Sequence, residues 1–152
     1  MKLLQRTAAL VASAAVLAGG TTVAAAGQAS AATTEVTLQN VATSRYLDSN
    51  GNGNVYTLPG NGGSYQRWYA NDLGNSTYTL RNKATGLYLD SNGNGNVYTL
   101  GGNGGSYQKW VKRRASYGYT YQNVATGLYL DSNGNGDVYT LGGNGGSYQQ
   151  WK

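Results

Sequence analysis

Along residues 32–152 the apolar positions come in short runs and never in long ones. Val36-Thr37-Leu38 alternates weakly, Tyr46-Leu47 is a second brief run, and Val55-Tyr56-Thr57-Leu58 and Tyr65 to Tyr69 are a third and a fourth. Val, Thr and Tyr suit a pleated, half-buried surface, so each run reads as a strand. Between the runs lie SNGNGN and PGNGGS. Their Asn-Gly steps supply the positive φ of tight turns. No window of about 11 residues in this region shows helical periodicity. The pattern predicts an all-β chain with about four strands per unit.

The unit is written three times. Residues 39–68, 81–110 and 122–151 begin QNVATSRYLDSNGNG, RNKATGLYLDSNGNG and QNVATGLYLDSNGNG, and end in Gln-x-Trp. The second and third copies agree at 26 of 30 positions and the first and second at 24 of 30. The connectors, YANDLGNSTYTL and VKRRASYGYTY, share little. Duplication alone would have left cassette and connector equally alike, so a fold requirement, a site, or both restrict the cassette. Four-stranded units of this length also build propeller blades, but propellers usually need at least four. Three units closing on a threefold axis predict a β-trefoil with about twelve strands. The repeats fall at about 33–72, 73–114 and 115–152.

The first 31 residues read differently. Lys2 and Arg6 make a basic start, Thr7 to Leu17 an apolar run, and Ala29-Ser30-Ala31 a small-residue cleavage pattern. That is the form of a secretory signal peptide, with residues 32–152 as the exported domain. The apolar run is too short to span a bilayer, and Gly19-Gly20 interrupts it. The expectation is a secreted protein without membrane insertion.

Composition narrows the chemistry. There is no Cys and no His, so thiol chemistry, disulfides and imidazole bases are excluded. The chain carries 11 basic and 6 acidic residues, net +5, which falls to +3 without Lys2 and Arg6. That mild charge does not call for nucleic acid. Lys112-Arg113-Arg114 is a basic cluster that reads as a solvated loop, without an aromatic stacking platform. Asn75-Ser76-Thr77 is a glycosylation sequon. Asp48-Ser49-Asn50-Gly51-Asn52-Gly53 starts like a calcium loop, yet its twelfth position is Pro59, or Gly101 and Gly142 in the other copies, where a bidentate Glu is required. Neither metal nor other cofactor is expected.

Three Gln-x-Trp endings, Gln66-Arg67-Trp68, Gln108-Lys109-Trp110 and Gln149-Gln150-Trp151, resemble those of the ricin B-type β-trefoil lectins. The run LDSNGNGNVYTLPGNGGSYQRW is similar, more narrowly, to the actinohivin-like lectins of actinomycetes. The resemblance covers residues 33–152. It implies a non-enzymatic, monomeric lectin with three sites for α1,2-linked mannose termini of high-mannose glycans and glycoproteins. By motif position the sites are Asp48, Tyr56, Leu58, Asn61 and Tyr65; Asp90, Tyr98, Leu100, Asn103 and Tyr107; and Asp131, Tyr139, Leu141, Asn144 and Tyr148. The actinohivin-like pattern has an aromatic where this chain has Gly51, Gly93 and Gly134, and Pro where it has Gly101 and Gly142. Those departures loosen the site walls and bear on linkage preference.

The residue types suit a sugar. A fixed carboxylate accepts hydrogen bonds from adjacent hydroxyls, an amide both donates and accepts, and a phenol offers a flat apolar body with a polar tip. One shallow site of this kind binds weakly, near millimolar, or about −4 kcal/mol. Three sites on one branched glycan can add roughly 10²–10⁴-fold by avidity. Other readings stay open in the sequence. Each Asp also fits an Asx turn that closes its own loop. The second Tyr of each copy also fits a β core, whereas the three Trp read as core and the three Gln as braces of the turn. A glycosidase needs two facing carboxylates, and each copy offers one. A binding module for another polysaccharide, or a trefoil that binds or inhibits a protein, is the remaining alternative.

Overall fold

The computed structural model describes residues 32–152; the expected signal peptide lies outside them. The chain folds into short strands, all paired antiparallel, but the first is displaced from the expected Val36-Thr37-Leu38 run: it is Thr33–Val36, and Thr37 and Leu38 lie beyond it. The strands are β1 (Thr33–Val36), β2 (Tyr46–Ser49), β3 (Val55–Leu58), β4 (Trp68–Asp72), β5 (Thr77–Asn82), β6 (Tyr88–Ser91), β7 (Val97–Leu100), β8 (Trp110–Arg114), β9 (Tyr119–Asn123), β10 (Tyr129–Ser132) and β11 (Val138–Leu141). Strands β1, β4, β5, β8 and β9 pair in that order. The ring closes at Trp151–Lys152. Trp151 exchanges backbone bonds with Tyr119, and Lys152 exchanges them with Gln39. The twelfth expected strand is therefore a bridge at Trp151 rather than a full strand. This short bridge joins the last strand of the ring to the segment that follows β1.

The other strands form three hairpins, β2–β3, β6–β7 and β10–β11, each in the same register. The hairpins cap the barrel and hold one another in a cycle. Thr99 donates its N–H to Gly53 O, Thr140 to Gly95 O and Thr57 to Gly136 O, each at 2.8 Å. Buried hydroxyl pairs Ser49–Thr99, Ser91–Thr140 and Thr57–Ser132 follow the same cycle. Gly53, Gly95 and Gly136 have φ of 85°, 85° and 96°, and a Cβ there would stand 2.8 Å from the neighbouring threonine carbonyl. Left-handed backbone and close approach together require glycine. With this threefold cap over a six-membered barrel, the fold is a β-trefoil.

The core gathers Leu38, Leu47, Leu80, Leu89, Leu130 and the three tryptophans, all but inaccessible. Each indole N–H is satisfied at 3.1 Å by a carbonyl one residue before an Asp: Trp68 to Leu47, Trp110 to Leu89, Trp151 to Leu130. The core ring thus fixes the peptide from which the Asp projects.

Two further expectations change. The fourth run does not begin as a strand at Tyr65: Ser64–Gln66, Ser106–Gln108 and Ser147–Gln149 form 3₁₀ turns, and the strand starts at Trp68. Lys112-Arg113-Arg114 is not a loop but lies in β8. Lys112 Nζ sits 4.1 Å from the centre of the Tyr119 ring, with Tyr78 and Tyr121 within 5.9 Å, which anchors the ammonium over aromatic faces. Asn75 and Ser76 of the sequon lie in the exposed turn between β4 and β5, and Thr77 opens β5. No helix among the described residues is long and apolar enough to cross a membrane.

Candidate functional site

Each hairpin carries a cup on its outer side. In the first, Asp48 on β2 faces Tyr56 on β3 across the ladder, because the register pairs them directly. Asn61, Leu58 and Tyr65 complete a cavity of about 320 Å³ together with Ser49, Asn50 and Gly63. The second cup gathers Asp90, Tyr98, Leu100, Asn103 and Tyr107 around about 330 Å³. In the third, Asp131 pairs with Tyr139, and Tyr148 lies close enough to Tyr139 to act on its ionisation. The third cup's Asn144 makes the same contacts as Asn61 and Asn103.

The carboxylates are deep and the rims open. Asp48 is 3% exposed, whereas Tyr65 is 49% and Leu58 38% exposed. That exposure excludes the core reading of the second tyrosine. The Asx-turn reading of Asp48 is answered as well, since Asn50 Oδ1 closes the turn by accepting the N–H groups of Asn52 and Asn54. The oxygen at the third position of the calcium-like loop is therefore engaged in the turn.

Behind each cup the Gln of Gln-x-Trp holds the loop. Gln66 Oε1 accepts the N–H of Asn61 and its Nε2 donates to Pro59 O, both at 3.0 Å. Gln108 and Gln149 repeat both bonds, and Gln149 Nε2 also donates to Asp131 Oδ2 at 2.9 Å. Asn61 Oδ1 accepts the N–H of Gly63 at 2.8 Å, which fixes the amide at the cup wall.

A model of the ricin-type beta-trefoil lectin-like domain matches residues 17–103, more than half of the chain. The chain belongs to that family. Among solved structures it is similar to ThreeFoil, a designed 3-fold symmetric protein, at 30% identity and a TM-score of 0.72, covering 78% of this chain and 96% of that one. An exo-beta-1,3-galactanase from Clostridium thermocellum matches at 23% identity and TM-score 0.71 over 78% of this chain, and a mosquitocidal holotoxin at 20% and 0.71 over 79%. The match spans only 29% and 17% of those two longer chains, and it shows the shared fold alone.

In this lectin-like trefoil the cup electrostatics follow from burial. Desolvation raises the pKa of Asp48 and of Asp131 above the ordinary 3.8, and the hydrogen bonds from Gln66 and Gln149 oppose it. Tyr56, Tyr98 and Tyr139 are raised above 10.0 by burial and by the adjacent Asp, so they keep their protons and can donate. Each cup presents a deep carboxyl group beside a phenol donor, an oriented amide and an apolar rim. The linings of the first two cups hold one carboxylate each, which leaves no facing acid–base pair.

The sequence reading missed one set of positioning residues. Buried Asn82 donates to the carbonyl of Tyr65 in the preceding repeat, Asn123 to that of Tyr107, and Asn40 to that of Tyr148, each at 2.8 Å. Each cup's outer tyrosine is therefore held by the next repeat around the ring. The available signal was an Asn at the second position of all three cassettes.

Proposed function

We propose that the protein is a secreted, metal-independent lectin that grips mannose-type termini of glycans with three equivalent cups. In each cup the aspartate accepts hydrogen bonds from two adjacent hydroxyls. The inner tyrosine and the asparagine complete the polar ring, and Leu58 and Tyr65 or their counterparts cover the C–H face. The observation that carries this reading is the threefold repetition of a buried carboxylate paired across the ladder with a tyrosine and rimmed by an exposed tyrosine and leucine. The choice of α1,2-linked mannose on high-mannose glycans rests on the resemblance of the cassette to actinohivin-like lectins, and export rests on the leader-like residues 1–31.

One cup is weak and several together are not. Simultaneous engagement of a branched glycan raises the effective concentration at the second and third cups, worth roughly 10²–10⁴-fold. A glycan array with mannose and other polysaccharides tests the specificity. Single, double and triple Asp→Ala replacement at Asp48, Asp90 and Asp131 tests the cups, with a stepwise fall in avidity and an intact fold expected. Undiminished binding by a folded triple variant would overturn the assignment.

A further inference from the structure

Where the three repeats differ, three charged residues meet in one place. The position of Glu35 is Thr77 and Gly118 in the other repeats, that of Arg67 is Lys109 and Gln150, and that of Lys83 is Val41 and Val124. In space Arg67 Nη1 lies 3.0 Å from Glu35 Oε1 and Lys83 Nζ lies 2.9 Å from Glu35 Oε2. Exposed pairs of this kind add little to stability, so the fold alone does not account for the cluster. Beside it opens a cavity of about 520 Å³, larger than the first or the second cup, lined by Glu35, Val36, Tyr46, Gly60, Gly63 and Arg67 among others.

Gly63 lines both this cavity and the first cup, and the wall between them is the loop Asn61-Gly62-Gly63. Its two glycines raise no side chain between the spaces, and the asparagine amide is folded back on Gly63 N–H. Gly60 lies against the Tyr46 ring, where a Cβ would come 2.8 Å from Cε2, and Gly102 with Tyr88 and Gly143 with Tyr129 repeat this contact, so the charged residues are what set the first copy apart. In the third repeat the matching side chain is engaged differently: Gln150 accepts from Tyr117 N–H at 2.9 Å and donates to Gly145 O at 3.3 Å.

We propose that this groove is an extension of the first cup alone, and that it takes the next hexose of an oligosaccharide whose terminal unit sits against Asp48. The Arg67 fork donates to adjacent hydroxyls, Glu35 accepts from one, and Tyr46 offers a flat flank. The hydrogen bonds from Lys83 and Arg67 hold the Glu35 carboxyl below its ordinary value, so it stays an acceptor into mild acid. The first site thereby discriminates chain length while the other two read the terminus.

This inference rests on the proposed lectin function, and NMR of the whole protein separates the two. Amide signals are followed on addition of mannose, α1,2-mannobiose and α1,2-mannotriose. Asn61 and Tyr65 report the first cup, and Val36, Thr37 and Arg67 report the groove. Mannotriose is expected to shift the groove signals, which mannose leaves in place, and to bind the first cup about three- to tenfold more tightly than mannose. Arg67→Gln and Glu35→Thr, which install residues found in the other repeats, are expected to remove that gain with mannose affinity unchanged. Equal affinity for mannose and mannotriose at the first cup, or a gain that survives both substitutions, overturns the groove and leaves the lectin reading standing. Silence of Asn61 and Tyr65 toward every sugar overturns both.

Discussion

The three cassettes and the two connectors solve the same packing problem in opposite ways. The connectors carry barrel strands β4 with β5 and β8 with β9, and each pair contacts mainly its own neighbours. One barrel segment packs Ala70 against Leu80, and the other uses Tyr121 with Lys112 laid over tyrosine rings. Local solutions of this kind are free to differ. In the cassettes each hairpin tip is locked to the next, so Gly53, Gly95 and Gly136 must match Thr99, Thr140 and Thr57 around the ring. A change in one copy is felt by another. Yet the cassette also repeats residues to which the ring gives no role, namely the exposed Leu58, Tyr65 and their counterparts. The ring accounts for the glycines and threonines, and the proposed site is what accounts for the exposed pair.

The largest effect expected is at the core. Trp110→Ala should lose roughly 3–5 kcal/mol, through both the cavity and the unsatisfied Leu89 carbonyl. Urea denaturation measures it, and a loss below about 1 kcal/mol would remove the tryptophans from the core account. Next come two glycines with nearly equal backbone. Gly95 in the ring and Gly74 in a connector have φ of 85° and 88°, but a Cβ meets Thr140 O at 2.8 Å in the first case and open space in the second. Gly74→Ala is expected to lose about 1 kcal/mol, and Gly95→Ala about 2–4 kcal/mol because steric overlap adds to the same backbone cost. Equal losses would break the contrast between ring and connector.

Acid should divide binding from stability. Asp48 and Asp131 have folded-state pKa values above their unfolded ones, so the folded protein takes up their protons first as pH falls. The slope of stability with pH is then negative across that window, and these two groups stabilise the fold as they are protonated. Sugar affinity at the first and third cups goes the other way, because the neutral acid is a poorer acceptor. Glu35 is shifted down by Lys83 and Arg67, so its contribution is lost as pH falls below its unfolded value near 4.5. The Glu35→Gln variant removes that opposing term. Melting and calorimetry from pH 7 to 4 on this variant should show affinity falling while the cup carboxylates push stability upward. Affinity that holds constant to pH 4 would exclude the carboxylates as ligands.

The strand runs were legible because alternation and Asn-Gly turns are local signals, and the trefoil followed from counting copies. The cup residues were legible as a repeated motif. Tyr65 looked like the start of a strand because its residue type favours one. What makes it a 3₁₀ turn is Gln66 bonding back to Pro59 and Asn61, a geometry that residue type does not encode. The grip of Asn82 on Tyr65 and the meeting of Glu35, Arg67 and Lys83 were hidden for another reason. They join residues from separate strands and repeats, and only the closed barrel brings them together.

The smallest stability effect is the most discriminating. Tyr65→Ala and Leu58→Ala remove exposed side chains, so each should change stability by no more than about 0.5 kcal/mol. Covering about 50 Å² of sugar C–H surface is worth roughly 1 kcal/mol, so the first cup should bind about fivefold more weakly in either variant. Arg113→Ser, at an exposed position of β8, should alter neither quantity. If Tyr65→Ala instead loses several kcal/mol and leaves sugar affinity alone, its repetition belongs to packing. The Asn82 grip on its carbonyl would then serve the fold and not the cup.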